Sequence, residues 1–247
     1  MNKPLNGKVA IVTGGSKGIG QAISEALAAD GACVVVNYSS DAGSANDTVD
    51  AITKNGGQAL AVKGSVASPE DVETLFAATL NHFGAPDILV CNAGVSALHP
   101  ITEVSEEEFD RIYGINVKGL MFLLRTAAKQ LKDNGRVITI SSTTAVSPAP
   151  NSFLYASSKA AASMMTQIAA TELGPRGITV NAILPGLTET PMIANMPPAY
   201  KEAAASSSPF GRIGKPEDIS CIAAFLAREE AQWVTGQTII ANGGAKR

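Results

Sequence analysis

Short runs of β-branched residues alternate with longer segments of helical composition along this chain, and this alternation constrains the fold more than any other feature. The runs predict strands at 8–13, 33–38, 58–64, 87–93, 136–142, 178–184 and 237–242. The intervening segments predict helices at 18–30, 41–55, 69–83, 105–131, 154–173 and 216–228. Because the runs are nearly continuous in apolar residues, they are typical of parallel strands that helices cover on both faces. We therefore predict an α/β fold with a doubly wound, seven-stranded parallel sheet.

The length of 247 residues fits either one large α/β domain or two small ones. No repeat or low-complexity linker divides the chain, so we predict a single domain over residues 1–247. The one long region without strand rhythm is 185–215, which is rich in Pro, Ser and Ala. It follows the sixth predicted strand and therefore leaves from the carboxyl edge of the sheet, where open α/β sheets bind ligands. We predict a substrate lid at about 186–212; a disordered insertion is the alternative.

Composition argues against several classes of function. The 19 basic and 22 acidic residues form no long run of either sign, so we expect no nucleic-acid or membrane partner. Three widely spaced cysteines in apolar surroundings predict no disulfide and suit a reducing compartment. No apolar run reaches the roughly 18 residues that span a bilayer, and the N-terminus lacks a leader pattern, so we expect a soluble, cytoplasmic protein. The sequence has only two histidines, and no cluster of Cys, His and Asp has the spacing of metal ligands. We therefore expect neither a metal site nor a Ser-His-Asp triad.

The first predicted strand runs directly into the glycine-rich stretch TGGSKGIG, residues 13–20. Gly14, Gly18 and Gly20 permit a tight turn and a close approach of the backbone to a ligand. The helix that follows presents free N–H groups and a positive dipole end to a pyrophosphate. A bare turn is the alternative, but its place between the first strand and first helix of a doubly wound sheet favours a dinucleotide site.

The end of the second predicted strand indicates which dinucleotide binds. NAD sites usually place an acidic residue about 20 positions beyond the glycine turn, where it binds the ribose 2′-hydroxyl. Here that turn holds Asn37, Tyr38, Ser39 and Ser40. Neutral donors from this turn, with Lys17 from the glycine loop, can instead surround a 2′-phosphate. We predict that NADP(H) is preferred over NAD(H), while Asp41 leaves NAD(H) open.

Tyr155 and Lys159 stand four residues apart in the predicted helix 154–173, so both side chains leave from the same helix face. A phenol has an unperturbed pKa near ~10 and is a poor base at neutral pH unless a cation lies nearby. The pair is therefore either a phenol whose proton transfer the neighbouring lysine assists, or a surface tyrosine beside a solvated lysine. Taken alone, the spacing does not choose between the two.

Six short motifs occur in a characteristic order, and together they are specific. They are TGGSKGIG (13–20), CNAGV (91–95), GINVKG (114–119), TISS (139–142), YASSK (155–159) and LPGLTET (184–190). In these motifs the chain resembles the short-chain dehydrogenase/reductase family over essentially its whole length. The resemblance implies a Rossmann-type fold and hydride transfer between a nicotinamide cofactor and a carbonyl or alcohol.

The resemblance implies roles for four residues. Tyr155 would donate a proton to the carbonyl oxygen, and Lys159 would lower the pKa of that phenol and bind the nicotinamide ribose. Ser142, 13 residues before the tyrosine, would hydrogen-bond the substrate oxygen. Asn116 would hold a water that links the lysine to solvent.

The resemblance also implies the cofactor-binding positions. Asn92, Ala93 and Gly94 would line the adenine ribose, and Thr190 would hydrogen-bond the nicotinamide carboxamide, with Thr188 as a nearby competitor. The remaining expected positions are Ser16, Ile19, Ser65, Val66, Pro185 and Gly186. Two positions depart from the family pattern. Ser65 replaces an aspartate that holds the adenine amino group, and Asn242 replaces an aspartate near the C-terminus.

The substrate pocket is predicted to be mostly apolar, with methionines that can repack around varied ligands. Its expected residues are Ser96, Leu98, Val146, Phe153, Gly186, Leu187, Met192, Ile193 and Met196. This composition favours a hydrophobic carbonyl compound over a charged sugar. The family is commonly tetrameric, and the segment SMMTQIAATEL (163–173) offers an apolar face for pairing or for core packing.

The leading interpretation is NADPH-dependent reduction of a ketone or aldehyde. A 3-oxoacyl-acyl-carrier-protein reductase is an alternative: Arg176 occupies a position that such enzymes use toward the acidic carrier, whereas Asp133 opposes that use. Oxidation of a sugar or polyol would use the same residues. A catalytically silent NADP-sensing protein is the alternative of another class, and the presence of both Tyr155 and Lys159 argues against it.

Overall fold

The computed structural model describes residues 3–245 and contains one seven-stranded, all-parallel sheet. The strand order is β3-β2-β1-β4-β5-β6-β7. The strands are β1 Val9–Val12, β2 Cys33–Tyr38, β3 Gln58–Lys63, β4 Ile88–Cys91, β5 Arg136–Ile140, β6 Thr179–Pro185 and β7 Thr238–Ala241. This order is that of a Rossmann-type sheet, and the predicted α/β fold is confirmed.

Eight helices connect the strands within the described residues, and several of them start at side-chain caps. They are α1 Gly18–Ala29, α2 Ala42–Lys54, α3 Pro69–Phe83, α4 Glu106–Tyr113, α5 Leu120–Gln130, α6 Phe153–Leu173, α7 Pro198–Ser207 and α8 Pro216–Ala227. Asp41, Ser68 and Ser105 each accept a hydrogen bond from a backbone N–H in the first turn of α2, α3 and α4. Within residues 3–245, no helix is both long and apolar enough to cross a membrane.

One detail of the helix prediction was missed, and one alternative for the region 185–215 is excluded. The single helix expected at 105–131 is interrupted by a π-helical segment at Gly114–Gly119, between α4 and α5. The region 185–215 is not a disordered insertion, because it contains the 3₁₀ turn Pro191–Ile193 and helix α7. Backbone bonds between Gly214 and both Leu187 and Glu189 join the two ends of this region.

The two faces of the sheet bury separate apolar clusters, as a doubly wound sheet requires. Along β1, Ala10 and Val12 pack into the cluster beneath α1 and α8, whereas Ile11 packs into the opposite cluster. The first cluster includes Leu27 of α1, and the second includes Phe76 of α3. All of these side chains are fully buried.

The strand order reverses between β1 and β4, so their connections leave in opposite directions and open a crevice at the carboxyl edge of the sheet. The glycine loop leaves β1 at this edge, and Asn92 follows β4 there. Ser142 follows β5, and Gly186 follows β6. The topology alone therefore brings four of the sequence motifs to one place.

Candidate active site

A cleft of about 400 Å³ lies at this carboxyl edge. Many of the predicted site residues line it. The residues predicted to bind the cofactor and those predicted to bind the substrate therefore share one cleft. They are Gly14, Lys17, Gly18, Ile19, Gly20, Asn92, Ala93, Gly94, Ser96, Leu98, Ser142, Tyr155, Lys159, Pro185, Gly186, Leu187, Thr188, Thr190, Met192, Ile193 and Met196. Among the described residues, no group of three or more His, Cys, Asp and Glu could hold a metal ion.

The glycine loop is shaped for close approach of a ligand. Gly14 and Gly18 have φ values of +60° and +52°, which side-chain-bearing residues rarely adopt. A Cβ on Gly20 would collide with the carbonyl oxygen of Gly14 and lie 2.5 Å from the side-chain nitrogen of Asn92. None of the side chains in residues 3–245 caps the N-terminus of α1, so its backbone N–H groups are available to an anion in the cleft. The loop therefore fits a dinucleotide pyrophosphate.

Asn92 braces the loop from the neighbouring strand. Its side-chain amide donates to the carbonyl oxygens of Thr13 and Gly14, at 3.0 and 2.9 Å. In return, the Thr13 hydroxyl accepts from the backbone N–H groups of Asn92 and Ala93. These bonds hold β1 and β4 together where the sheet order reverses. Asn92 thus fixes the loop as well as lining the cleft.

Tyr155 and Lys159 lie one turn apart on α6, as the spacing predicts. The Lys159 ammonium is buried and donates to the carbonyl oxygen of Ile140 at 2.8 Å. It lies 5.9 Å from the centre of the Tyr155 ring, and burial lowers the pKa of Lys159 to about 8. Burial raises the pKa of the Tyr155 phenol, and the Ser142 hydroxyl opposes that rise. The Ser142 hydroxyl therefore favours the phenolate form of Tyr155.

Ser142 follows β5 and begins a short 3₁₀ turn, Thr143–Ala145. Its hydroxyl oxygen accepts from the Thr144 hydroxyl at 2.9 Å and from the Thr144 backbone N–H at 3.2 Å. One residue earlier, the Ser141 hydroxyl donates to the carbonyl oxygen of Lys159 at 2.9 Å. The end of β5 is therefore bonded directly to the helix that carries Tyr155.

Asn116 lies at the centre of the π-helical segment and outside the lining of the main cleft. Its side-chain oxygen accepts from the Val95 N–H at 2.9 Å, and its amide donates to Val95 O and to the Ser158 hydroxyl. Ser158 in turn donates to the backbone carbonyl of Tyr155 at 2.8 Å. A small cavity of about 10 Å³, roughly the size for one water, lies against both Asn116 and Lys159. This geometry fits a proton path between them.

The predicted 2′-phosphate site contains one residue that is unavailable. The Asn37 side chain is buried and donates to the carbonyl oxygens of Val62 and Gly64, so it fastens β2 to β3 instead of facing solvent. Ser39 and Ser40 are exposed. The expectation that Asn37 donates to the phosphate is therefore corrected.

Lys17 is not a free cation at this end of the site. Its ammonium forms a 2.5 Å ion pair with Asp41, and both side chains are about half exposed. Asp41 also accepts from the Ser44 N–H and hydroxyl, at 3.0 and 2.9 Å. The hydrogen bond from Lys17 and those from Ser44 hold the pKa of Asp41 well below its usual range. A 2′-phosphate that bound Lys17 would meet this carboxylate.

Several other predicted site residues lie outside the lining of the cleft. Val146 and Phe153 are exposed and do not line the cleft, so their assignment to the substrate pocket is corrected. Ser16, Tyr38, Ser65 and Val66 also lie outside its lining. The Ser65 N–H donates to the Asp71 carboxylate, and the Ser65 hydroxyl accepts from the Ala67 N–H.

The structure defines the surroundings of two further positions. Thr188 donates its hydroxyl to the Gly186 carbonyl at 2.9 Å, whereas the Thr190 side chain lies against Gly18, and both threonines line the cleft. Asn242, in place of the usual aspartate, accepts from the Gly244 N–H and donates to the Ala245 carbonyl. It therefore closes the turn after β7.

Comparison with known proteins agrees with this geometry. Residues 14–246 match a family model described as enoyl-(acyl carrier protein) reductase. An uncharacterized oxidoreductase of Methylorubrum extorquens is 43% identical over 98% of this chain and 99% of its own length. The chain belongs to the short-chain dehydrogenase/reductase family.

Two further relatives of this short-chain dehydrogenase/reductase are reductases by name. Versicolorin reductase 1 of Aspergillus parasiticus is 39% identical, covering 100% of this chain and 99% of its own length. The solved structure of the angucycline C-6 ketoreductase LanV with bound NADP superposes with a TM-score of 0.93. It is 38% identical and covers 98% of this chain and 96% of the other.

Sequence reasoning missed several residues that line the cleft of this short-chain dehydrogenase/reductase. Two of them have polar side chains. Thr144 bonds to Ser142, and Tyr200 lies at the substrate end of the cleft. Tyr200 lies on α7, within a Pro-rich region that carried no helical pattern, so nothing signalled its position. The bond from the Thr144 backbone N–H to Ser142 could have been anticipated, because a serine hydroxyl commonly accepts from the backbone N–H two residues on.

Proposed function

We propose that this oxidoreductase catalyses the NADPH-dependent reduction of a neutral, hydrophobic ketone or aldehyde to the alcohol. The observation that carries the proposal is the meeting of Tyr155 and Ser142 with the glycine loop in one cleft. A proton donor and a hydrogen-bond donor for an oxygen lie there beside a site shaped for a dinucleotide. Versicolorin reductase 1 and LanV are both named as reductases, which supports the direction.

NADPH, when bound, supplies a hydride to the carbonyl carbon of the substrate. The backbone N–H groups at the start of α1 would hold its pyrophosphate, and Thr190 would hold its carboxamide. We propose Ser39, Ser40 and Lys17 for its 2′-phosphate and Lys159 for its nicotinamide ribose. NADP(H) is proposed over NAD(H), and the bound NADP of LanV supports this choice.

The protein's own part in the reaction is proton transfer and orientation. Tyr155 donates its phenolic proton to the carbonyl oxygen as negative charge develops there. Ser142 donates a hydrogen bond to the same oxygen and so fixes its position. The Tyr155 phenol has its pKa raised by burial, so it is protonated and ready to donate at neutral pH. Lys159, Asn116 and one water in the small cavity would return a proton from solvent.

The substrate end of the cleft favours a neutral apolar molecule. Leu98, Leu187, Met192, Met196 and Tyr200 line it. The charged side chains in the cleft lining are Lys17 and Lys159, and both serve the proposed cofactor site. An aromatic ketone suits such a surface, because Tyr200 can stack on a planar ring and Met side chains adapt to its shape. We propose residues 186–212 as the lid over this molecule.

The carrier-protein alternative is less well supported. Arg176, the cation expected to meet an acidic carrier, forms a 2.7 Å ion pair with Asp133. It also donates to the carbonyl oxygens of Ala128 and Leu131. A guanidinium with these partners closes the end of α5 and presents little free charge to a phosphopantetheine carrier. We therefore propose free ketones over carrier-bound thioesters.

The decisive experiment measures NADPH oxidation by the purified protein with aryl ketones, diketones, free sugars and acetoacetyl carrier protein. We expect aryl ketones to have the highest kcat/KM. Replacing Tyr155 by Phe should lower kcat at least a thousandfold while the Kd for NADPH changes less than threefold, because the phenol oxygen acts in proton transfer. Full turnover by Tyr155→Phe would contradict the acid assignment. NADPH binding without turnover of any carbonyl would favour the silent, sensing alternative.

We also propose that the protein is a homo-oligomer, with a tetramer as the leading state. On α6, Thr166 and Ala170 are buried in the protein's own core, whereas Met164 and Ile168 point outward and are about half exposed. Two large apolar side chains one turn apart on a long helix are suited to pairing with a second copy.

A further inference from the structure

The oxygen of the Ser142 hydroxyl accepts two hydrogen bonds from Thr144. The Thr144 hydroxyl donates to Ser142 Oγ at 2.9 Å, and the Thr144 backbone N–H donates to the same oxygen at 3.2 Å. Ser142 is buried, whereas Thr144 is partly exposed and lines the cleft. The pair therefore lies on the wall that faces substrate.

These two bonds determine what Ser142 can do next. A serine hydroxyl has one proton to donate and two lone pairs that accept. Thr144 occupies both lone pairs, so the Ser142 hydroxyl can form a further bond only as a donor. A carbonyl oxygen that gains negative charge needs a donor of this kind.

We propose that Thr144 is a positioning residue for carbonyl reduction, which orients the Ser142 proton toward the substrate oxygen beside Tyr155. The inference rests on the proposed reductase activity and adds a residue that acts through Ser142. Without the Thr144 hydroxyl, only the Thr144 backbone N–H would hold the Ser142 oxygen. Its second lone pair could then accept a bond from another group, so Ser142 would spend less time as a donor.

The backbone of the turn does not depend on the Thr144 hydroxyl. The Ala145 N–H donates to Ser142 O at 3.1 Å, and the N–H groups of Val146 and Ser147 donate to Thr143 O at 3.1 and 2.9 Å. These bonds persist when the Thr144 side chain changes. Substitution of Thr144 can therefore test its hydroxyl without removing the turn.

The test compares Thr144→Val, which removes the hydroxyl at similar volume, with Thr144→Ser, which keeps it. We expect kcat for ketone reduction to fall about tenfold in Thr144→Val, the usual effect of one lost polar interaction. We expect Thr144→Ser to remain within about twofold of the wild type, with the Kd for NADPH unchanged in both. Thr74→Val is the matched control, because it removes an exposed hydroxyl bond on α3, away from the cleft.

A double-mutant cycle separates positioning from general damage. In a Ser142→Ala background, Thr144→Val should cost less than twofold in kcat, because the group through which it acts is gone. A second tenfold loss in that background, or equal rates for Thr144→Val and Thr144→Ser, would overturn the proposal. If Thr144→Val does not fold, Thr144→Ala carries the same expectations. A wild-type protein that binds NADPH but reduces no ketone would instead refute the proposed function, and this inference with it.

Discussion

Asp41 places a negative charge beside Lys17, the cation expected to meet the 2′-phosphate. The 2.5 Å ion pair means that the carboxylate and the phosphate compete for the same ammonium. Asp41 also caps α2 by accepting from the Ser44 N–H. Asparagine keeps a good capping oxygen and removes the charge, so Asp41→Asn isolates the electrostatic effect.

We expect Asp41→Asn to raise kcat/KM for NADPH by roughly three- to tenfold and to change kcat/KM for NADH less than twofold, since both groups are half exposed and screened by salt. Initial rates with both cofactors at low and high ionic strength check this, and the gain should shrink as salt rises. Asp50→Asn, an exposed site on the same helix, is the control for net charge. Equal gains for NADPH and NADH would show that the carboxylate does not act through the 2′-phosphate.

At the scale of single residues, sequence patterns identify residue types but not their partners. The motifs placed Tyr155, Lys159 and Ser142 at one site, and the structure brings all three to the cleft. The sequence also suggested Asn37 and Lys17 as free donors, yet the first is buried against β3 and the second is paired with Asp41. Partners of this kind depend on side-chain directions in three dimensions, which a one-dimensional pattern does not contain.

At the scale of elements, strand positions were well predicted because buried parallel strands have a strong apolar signal. The predicted strand 33–38 has the same bounds as β2, and 136–142 extends two residues beyond β5. The interruption of the 105–131 helix was not predicted, because the residues of GINVKG are compatible with an ordinary helix. The π-helical turn places Asn116 where its side chain bonds to Val95, in the segment after β4.

The junction of β1 and α1 gives a prediction at this scale. Gly20→Ala places a methyl group against the Gly14 carbonyl and the Asn92 amide that braces it, so the loop must shift. We expect the Kd for NADPH to rise at least tenfold and the free energy of unfolding to fall by roughly 1–3 kcal/mol. Calorimetric titration and denaturant unfolding measure the two. Gly174→Ala is the control, because no atom of the described residues lies within 4 Å of its added Cβ and its φ is −52°. Unchanged NADPH binding in Gly20→Ala would contradict the role given to the loop.

At the scale of the whole molecule, the two buried clusters cover the two faces of the sheet. Within the described residues they leave an exposed outer row on α6, formed by Met164 and Ile168. Thr166 and Ala170 face the core, while Met164 and Ile168 are 56% and 51% exposed. The sequence of SMMTQIAATEL could not separate pairing from core packing, because both require apolar residues at helical spacing. In the structure, one set of residues of this segment packs into the core of the protomer, and another set is exposed on its surface.

This division gives a test of the proposed tetramer. If the outer row of α6 is an interface, Ile168→Glu inserts a charge that the partner copy would have to bury, which should reduce the assembly to smaller species. The protomer should keep its thermal unfolding within a few degrees, because Ile168 is not part of the core. Light scattering coupled to size-exclusion chromatography measures the mass. Thr53→Glu, which adds the same charge at an exposed site on α2, should leave the mass unchanged. A monomeric wild type would contradict the oligomer, whereas an unchanged mass in Ile168→Glu would place the interface on another face.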